Sequence, residues 1–140
     1  MDDRGRIKLA AAFKEYLDQF ADKKLFVTSL DRRIAQIYPI HCWRETENFL
    51  ENFSDDPVAA ENLAFNAADL GEETVMDAQG RVTFSPELRR TLGLEEQALH
   101  LYAFGGRIEV LSEALYEERK RAAMVAPVAD RAKLRQAGMK

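Results

Sequence analysis

Asp77-Ala78-Gln79-Gly80-Arg81-Val82-Thr83-Phe84-Ser85-Pro86 reads as a turn, a strand and a helix start within ten residues. Gly80 is free to take positive φ. Val82 and Phe84 alternate with Arg81 and Thr83, and Ser85-Pro86 is a helix cap followed by a first-turn proline. The same order opens the chain in Asp2-Asp3-Arg4-Gly5-Arg6-Ile7-Lys8-Leu9. Gly5-Arg6 and Gly80-Arg81 are 75 residues apart, and at that offset Phe13 falls on Leu88 and Leu17 on Leu92. Arg33-Ile34 matches Arg107-Ile108 at an offset of 74, and Trp43 falls near Tyr116. The pattern implies an internal duplication. Two units are fewer than the roughly three a solenoid needs, so two halves sharing a pseudo-twofold barrel are expected.

Periodicity fills the chain between and beyond these stretches. Phe13, Leu17 and Phe20 predict a helix over 10–20, without a good cap because Ala10 stands at its start. Strands are expected over 25–30 and 34–38, joined at Asp31-Arg32-Arg33, and a helix over 40–52 with Trp43, Leu50 and Phe53 near one face. Asp56-Pro57 caps and begins another helix carrying Ala59, Leu63, Ala67 and Leu70, which Gly71 is expected to close in a left-handed conformation. A strand over 72–76 leads into the second turn. A short helix with Leu88 and Leu92 stops at Gly93, and strands over 99–104 and 107–111 flank the Gly105-Gly106 hairpin turn. Ser112 caps a last helix to about residue 121, and Ala126-Pro127-Val128 marks a break before a partly ordered tail. Four segments result: a first unit over 1–46 without a leading strand, connecting helices over 47–72, a second unit over 73–118 and a basic tail over 119–140.

With 140 residues and 46% hydrophobic content, the chain suits one soluble domain or two small halves on a common core. No apolar run reaches the roughly 20 residues of a membrane helix, and no secretory signal opens the chain. A single Cys42 suits a reducing cytoplasm. The net charge of −4 is unevenly spread: 119–140 hold seven basic residues against Asp130, a net +6, which leaves −10 on the rest. Such a tail is a solvated segment or one that adds affinity for phosphate. His41-Cys42 has no second pair at zinc spacing, so no metal site is expected, and His100 reads as a sheet residue. No catalytic order of Ser, His and Asp and no phosphate-cradling Gly-rich loop is visible, so neither an enzyme, a cofactor nor a small-molecule substrate is expected.

The paired Asp-x-x-x-Arg turns, each opening a strand and a short helix, resemble the MraZ transcriptional regulators, a branch of the AbrB-like swapped-hairpin DNA-binding proteins. The resemblance runs to about residue 120. It implies an α+β fold, mainly β with short helices: a double-split barrel of two AbrB-like units that forms a ring-shaped homo-oligomer. It further implies a protein on the nucleoid, bound to short tandem repeats in double-stranded promoter DNA upstream of a cell-division and cell-wall gene cluster that includes its own gene. Family members carry a short strand before the first turn; here only the second copy has one, over 74–76. An unpaired strand edge is therefore expected.

An Asp four residues before an Arg across a glycine turn can lock the loop by a charge-assisted pair. The held guanidinium can then grip phosphate or the O6/N7 edge of guanine with two donors. The DNA-binding candidates are Arg4, Arg6, Lys8 and Arg81, supported by Asp2, Gly5, Asp77 and Gly80. Arg4, Arg6 and Lys8 all belong to the first copy, so removal of Arg6 is expected to weaken binding more than removal of Arg81. The competing reading is an oligomeric scaffold of the same fold without DNA binding, and a lesser one is an antitoxin.

Overall fold

The computed structural model describes residues 1–140 as an α+β chain of seven strands and six helices. In order these are β1 (Arg6–Lys8), α1 (Ala11–Asp18), β2 (Lys24–Thr28), β3 (Ala35–Pro39), α2 (Ile40–Asn52), α3 (Pro57–Leu70), β4 (Glu72–Val75), β5 (Arg81–Thr83), α4 (Pro86–Leu92), β6 (His100–Phe104), β7 (Arg107–Leu111), α5 (Glu113–Ala123) and α6 (Pro127–Gln136). The order strand, helix, hairpin, helix, helix occurs in each half. No helix is long and apolar enough to cross a membrane.

The strands form two antiparallel sheets and do not close into one hydrogen-bonded barrel. One sheet is a ribbon of β1 and β5, and the other has the order β4-β2-β3-β7-β6. Central β3 lies between its own hairpin partner β2 and β7 from the other half, and all five of its residues are buried. Between ribbon and sheet, Ile7, Leu9, Val82 and Phe84 meet Leu25, Val27, Ile37, Ile108 and Val110 in one apolar cluster. Each such side chain contributes roughly 1.5–3 kcal/mol by leaving water. Neither half could bury these residues alone. A smaller cluster of Tyr38, Ile40, Trp43 and Ala67 lies under α2 and α3, where Trp43 stacks on Phe26 at 4.5 Å. Burial pushes the Tyr38 phenol up to about 12.

The two short helices start as their sequences dictate. Ser85 Oγ accepts from the Leu88 amide at 3.2 Å, whereas Ala10 offers no side-chain cap. Asp56 caps α3 through the Ala59 amide at 3.1 Å. Gly71 departs from expectation: it is extended, at φ −83° and ψ 149°. A Cβ there would fall 2.1 Å from the Phe26 ring and 2.3 Å from the Ala67 carbonyl, so close packing rather than a left-handed cap calls for glycine. Helix α1 stops at Asp18, and Phe20 beyond it packs edge-on to Tyr16 at 5.2 Å. The tail also departs from expectation. The break expected at 126–128 separates α5 from α6, but the tail beyond it is helical, with Pro127 beginning α6 as a first-turn proline can. At the sheet's edges, β4 covers β2, while β6, the counterpart of β2, has no strand on its outer side.

Candidate nucleic-acid interface

Both Asp-x-x-x-Arg turns close as locks. Asp2 Oδ1 accepts the amides of Arg4 at 3.0 Å and Arg6 at 2.8 Å, and its Oδ2 accepts Arg6 Nε at 2.8 Å. Asp77 repeats this with the amides of Gln79 and Arg81, each at 2.9 Å, and with Arg81 Nε at 2.7 Å. Gly5 at φ +74° and Gly80 at φ +77° supply the left-handed step that lets one carboxylate reach both amides. Hydrogen bonds from the arginine amides hold both carboxyls below the ordinary value of 3.8, helped by the guanidinium bonds and opposed by some desolvation. In each lock only Nε of the guanidinium is engaged by the Asp, leaving the two-pronged far edge without a hydrogen bond.

The strands after the turns then pair with each other. Arg6 lies opposite Thr83, Ile7 opposite Val82, and Lys8 opposite Arg81. Ile7 and Val82 are buried, so the pleat puts Arg6, Lys8, Arg81 and Thr83 together on the outward face. Two more bonds tie each strand to the opposite turn, from the Leu9 amide to the Gly80 carbonyl at 2.9 Å and from the Phe84 amide to the Gly5 carbonyl at 2.8 Å. Of the residues singled out in the sequence, Arg6, Lys8 and Arg81 share one face. Arg4 sits exposed on the first turn beside it.

Two basic residues escaped the sequence reading. A Cβ on Gly5 would fall 2.1 Å from Arg89 Nη1, and one on Gly80 would fall 3.3 Å from Lys14 Cδ. Each turn is therefore roofed by a basic side chain from the opposite half's short helix. Lys14 and Arg89 are themselves 75 residues apart, so the offset that revealed the two turns also linked this pair.

No protein-family model matches the chain. Curated proteins do. A Transcriptional regulator MraZ of Acidobacterium capsulatum is 34% identical over 65% of this chain and 62% of its own length. One of Acidovorax sp. (strain JS42) is 29% identical over 93% of this chain and 89% of its own. One of Thermomicrobium roseum is 33% identical over 71% of this chain and 67% of its own. The chain belongs to the MraZ family.

Within this MraZ-family chain the two turns have different neighbours. Around the first, Asp2 and Asp3 share a hollow of about 260 Å³ with Glu95, Glu96 and Arg89. Arg89 is largely buried, with its Nε lacking a hydrogen bond and Glu95 at 3.7 Å. The second turn has Lys8 across the ribbon and Lys14 above it, with Ala78 and Gln79 where the first has Asp3 and Arg4. Lys8, grouped by sequence with Arg4 and Arg6, thus stands beside Arg81. The remaining titratable pair, His41 and Cys42, lies in the first turn of α2 with His41 exposed and Cys42 half-buried. No three His, Cys, Asp or Glu side chains gather to hold a metal ion.

Proposed function

We propose that this protein is a DNA-binding transcriptional regulator whose β1–β5 ribbon presents Arg6, Lys8 and Arg81 to double-stranded DNA, with Arg4 beside them. One observation carries the reading: antiparallel register gathers three cationic side chains on one outward ribbon face while Ile7 and Val82 anchor its underside in the core. A two-stranded ribbon fits the major groove, and each Asp lock orients a guanidinium with its far edge free. Arginine so held loses little further freedom on meeting a phosphate or guanine. The regulator names of the relatives support the same reading.

The finer proposals extend it. The ribbon and sheet act as parts of a double-split barrel built from the units at 1–46 and 73–118, and copies assemble into a ring. The ring binds short tandem repeats upstream of a cell-division and cell-wall gene cluster containing its own gene, on the nucleoid, without catalysis or cofactor. Weak single contacts then multiply through effective concentration. Both strands supply the face, so we infer that the two copies share DNA contact rather than divide the labour.

A gel shift on the DNA upstream of its own coding region, repeated over a range of salt concentrations, tests the proposal. Binding that weakens by about 0.9 in log affinity per log salt for each phosphate met is expected, with large losses for Arg6→Ala. The scaffold reading rests on the net −10 of the chain before the tail. No binding at low salt would establish it in place of the regulator.

A further inference from the structure

The β1–β5 ribbon carries an approximate twofold axis of its own. Antiparallel register puts Ile7 opposite Val82, and about that pair the offset of 75 relates Arg6 to Arg81 and Lys8 to Thr83. The bonds around the ribbon obey the same symmetry. The two Asp locks match, and the Leu9 amide reaches the Gly80 carbonyl at 2.9 Å as the Phe84 amide reaches that of Gly5 at 2.8 Å. The two ends of the outward face are therefore alike in backbone and in their held arginines. Within the paired strands that face differs at one position only. Lys8 lies across from Arg81, Thr83 lies across from Arg6, and both Lys8 and Thr83 are exposed.

Double-stranded DNA has a matching symmetry in its backbone, which is why twofold proteins pair with palindromic sites. A twofold ribbon laid in the groove meets the same phosphates in either direction, and phosphate contacts carry no sequence information. The acids beside the first turn and Lys14 above the second alter how tightly each end is held. That field acts on phosphates, which look alike from both directions. Only side chains at base edges break the tie, and Arg6 and Arg81 ask for the same base. What remains is the difference between a lysine and a threonine. The lysine ammonium is a donor only and suits the paired O6 and N7 acceptors of guanine. The threonine hydroxyl both donates and accepts, and its methyl group suits the C5-methyl of thymine.

We propose that Lys8 and Thr83 are specificity-determining residues that fix the direction in which each copy lies along DNA, with the Lys8–Arg81 end over the more guanine-rich side of the bound element. The assignment rests on the reading of the ribbon as the DNA-binding face. It adds that the two arginines supply affinity at both ends alike, while one cross-ribbon difference reads polarity. The other exposed difference, Arg4 against Gln79, sits on the turns beyond the paired residues and leaves direction unchanged.

Direction is read by cleavage. Ala78→Cys, at an exposed site on the second turn, is made in a Cys42→Ser background and carries an iron chelate that cuts nearby DNA by hydroxyl radicals. The DNA is a duplex selected from a random pool by the parent protein. Cuts are expected at one edge of each bound element, favoured roughly fivefold or more over the other edge, the lower end of what one base contact discriminates. Lys8→Thr/Thr83→Lys should move the cuts to the opposite edge of the same element. Thr83→Lys alone makes the two ends equivalent and should give cuts at both edges. Arg4→Gln/Gln79→Arg should change affinity but not the edge that is cut. All these variants lie at exposed positions, and unchanged circular dichroism checks that they keep the fold. Even cutting by the parent overturns the proposal, as do cuts that stay in place in the Lys8–Thr83 exchange or at one edge in Thr83→Lys. A shift of the cuts by the Arg4–Gln79 exchange overturns it too, by giving direction to the turns. Parent protein that binds no duplex at low salt refutes the regulator and this assignment together, whereas firm binding without a preferred edge refutes this assignment alone.

Discussion

The turn at Asp2–Arg6 and the turn at Asp77–Arg81 hold their arginines by the same bonds from amide and Nε, all between 2.7 and 2.9 Å. The first is nonetheless flanked by three acids, Asp3, Glu95 and Glu96, against one base, Arg89, and the second by Lys8 and Lys14. The lock is local chemistry written in five residues, whereas the field around it comes from strands and helices of the other half. Counting basic residues by sequence copy makes the first turn the more cationic. Counting by neighbours makes it the more acidic. Which count governs function is a matter of measurement.

The largest effect should come from removing both held guanidinium groups. Arg6→Ala and Arg81→Ala are each expected to weaken DNA binding by about 1–3 kcal/mol, and the double variant by about their sum if the two contact DNA independently. Near-equal single losses in a fluorescence-anisotropy titration support a shared ribbon face. A far larger loss for Arg6→Ala restores the division of labour that the sequence suggested.

Next come the two glycines. Alanine at Gly5 or Gly80 must adopt positive φ, costing roughly 1–2 kcal/mol of stability by urea denaturation. Gly5→Ala should cost more, because its Cβ also displaces Arg89, whereas at Gly80 the nearest atom is 3.3 Å away in flexible Lys14. In an Arg89→Ala background the two costs should converge. If they stay apart, the difference lies in the turns themselves and not in what roofs them.

These glycines also show how much of the molecule the sequence carried. Gly5 and Gly80 announced the turns, and the offset between them gave the repeated order of elements, because turn chemistry is local. Gly71 looked like a helix stop by the same reasoning and proved to be a close approach to Phe26, a contact that forms only when β2 and α3 meet. The ribbon face was illegible for the same reason: Arg81 is far from Lys8 in sequence, and only the β1–β5 register joins them. Lys14 was legible in principle through its match with Arg89, but on a helix it reads as ordinary solvated surface.

A smaller effect should follow from neutralising the acids at the first turn. Asp3→Asn with Glu96→Gln removes two exposed negative charges from the hollow beside Arg4 and Arg6. Screening in water limits each to a few tenths of a kcal/mol, so roughly a two- to fivefold gain in DNA affinity is expected at low salt and little at high salt. Replacing Gln79 by Arg in the second turn should give a gain of similar size, since it adds the charge that the first turn has in Arg4. If only Gln79→Arg tightens binding, the DNA meets the second turn more closely than the first.

The smallest effect isolates the lock itself. Asp2 and Asp77 both have carboxyls lowered from 3.8, first by the arginine amide and then by the guanidinium bond. A depressed folded value means the lock's contribution is fully present above about 3.8 and is lost as pH falls through the lowered value. DNA affinity should therefore show no dependence on these two groups between about pH 5 and 8. Carboxyl ¹³C shifts followed through an acid titration should give both groups midpoints below 3.8 and close together, since the bonds are alike. The acids Asp3, Glu95 and Glu96 stand around the hollow at Asp2 and have no counterpart at Asp77. A midpoint for Asp2 at or above 3.8 beside a depressed Asp77 would mean that the surroundings overrule the lock at the first turn. Arg6 would then be the less firmly held guanidinium, and the two ends of the ribbon would differ in geometry as well as in field.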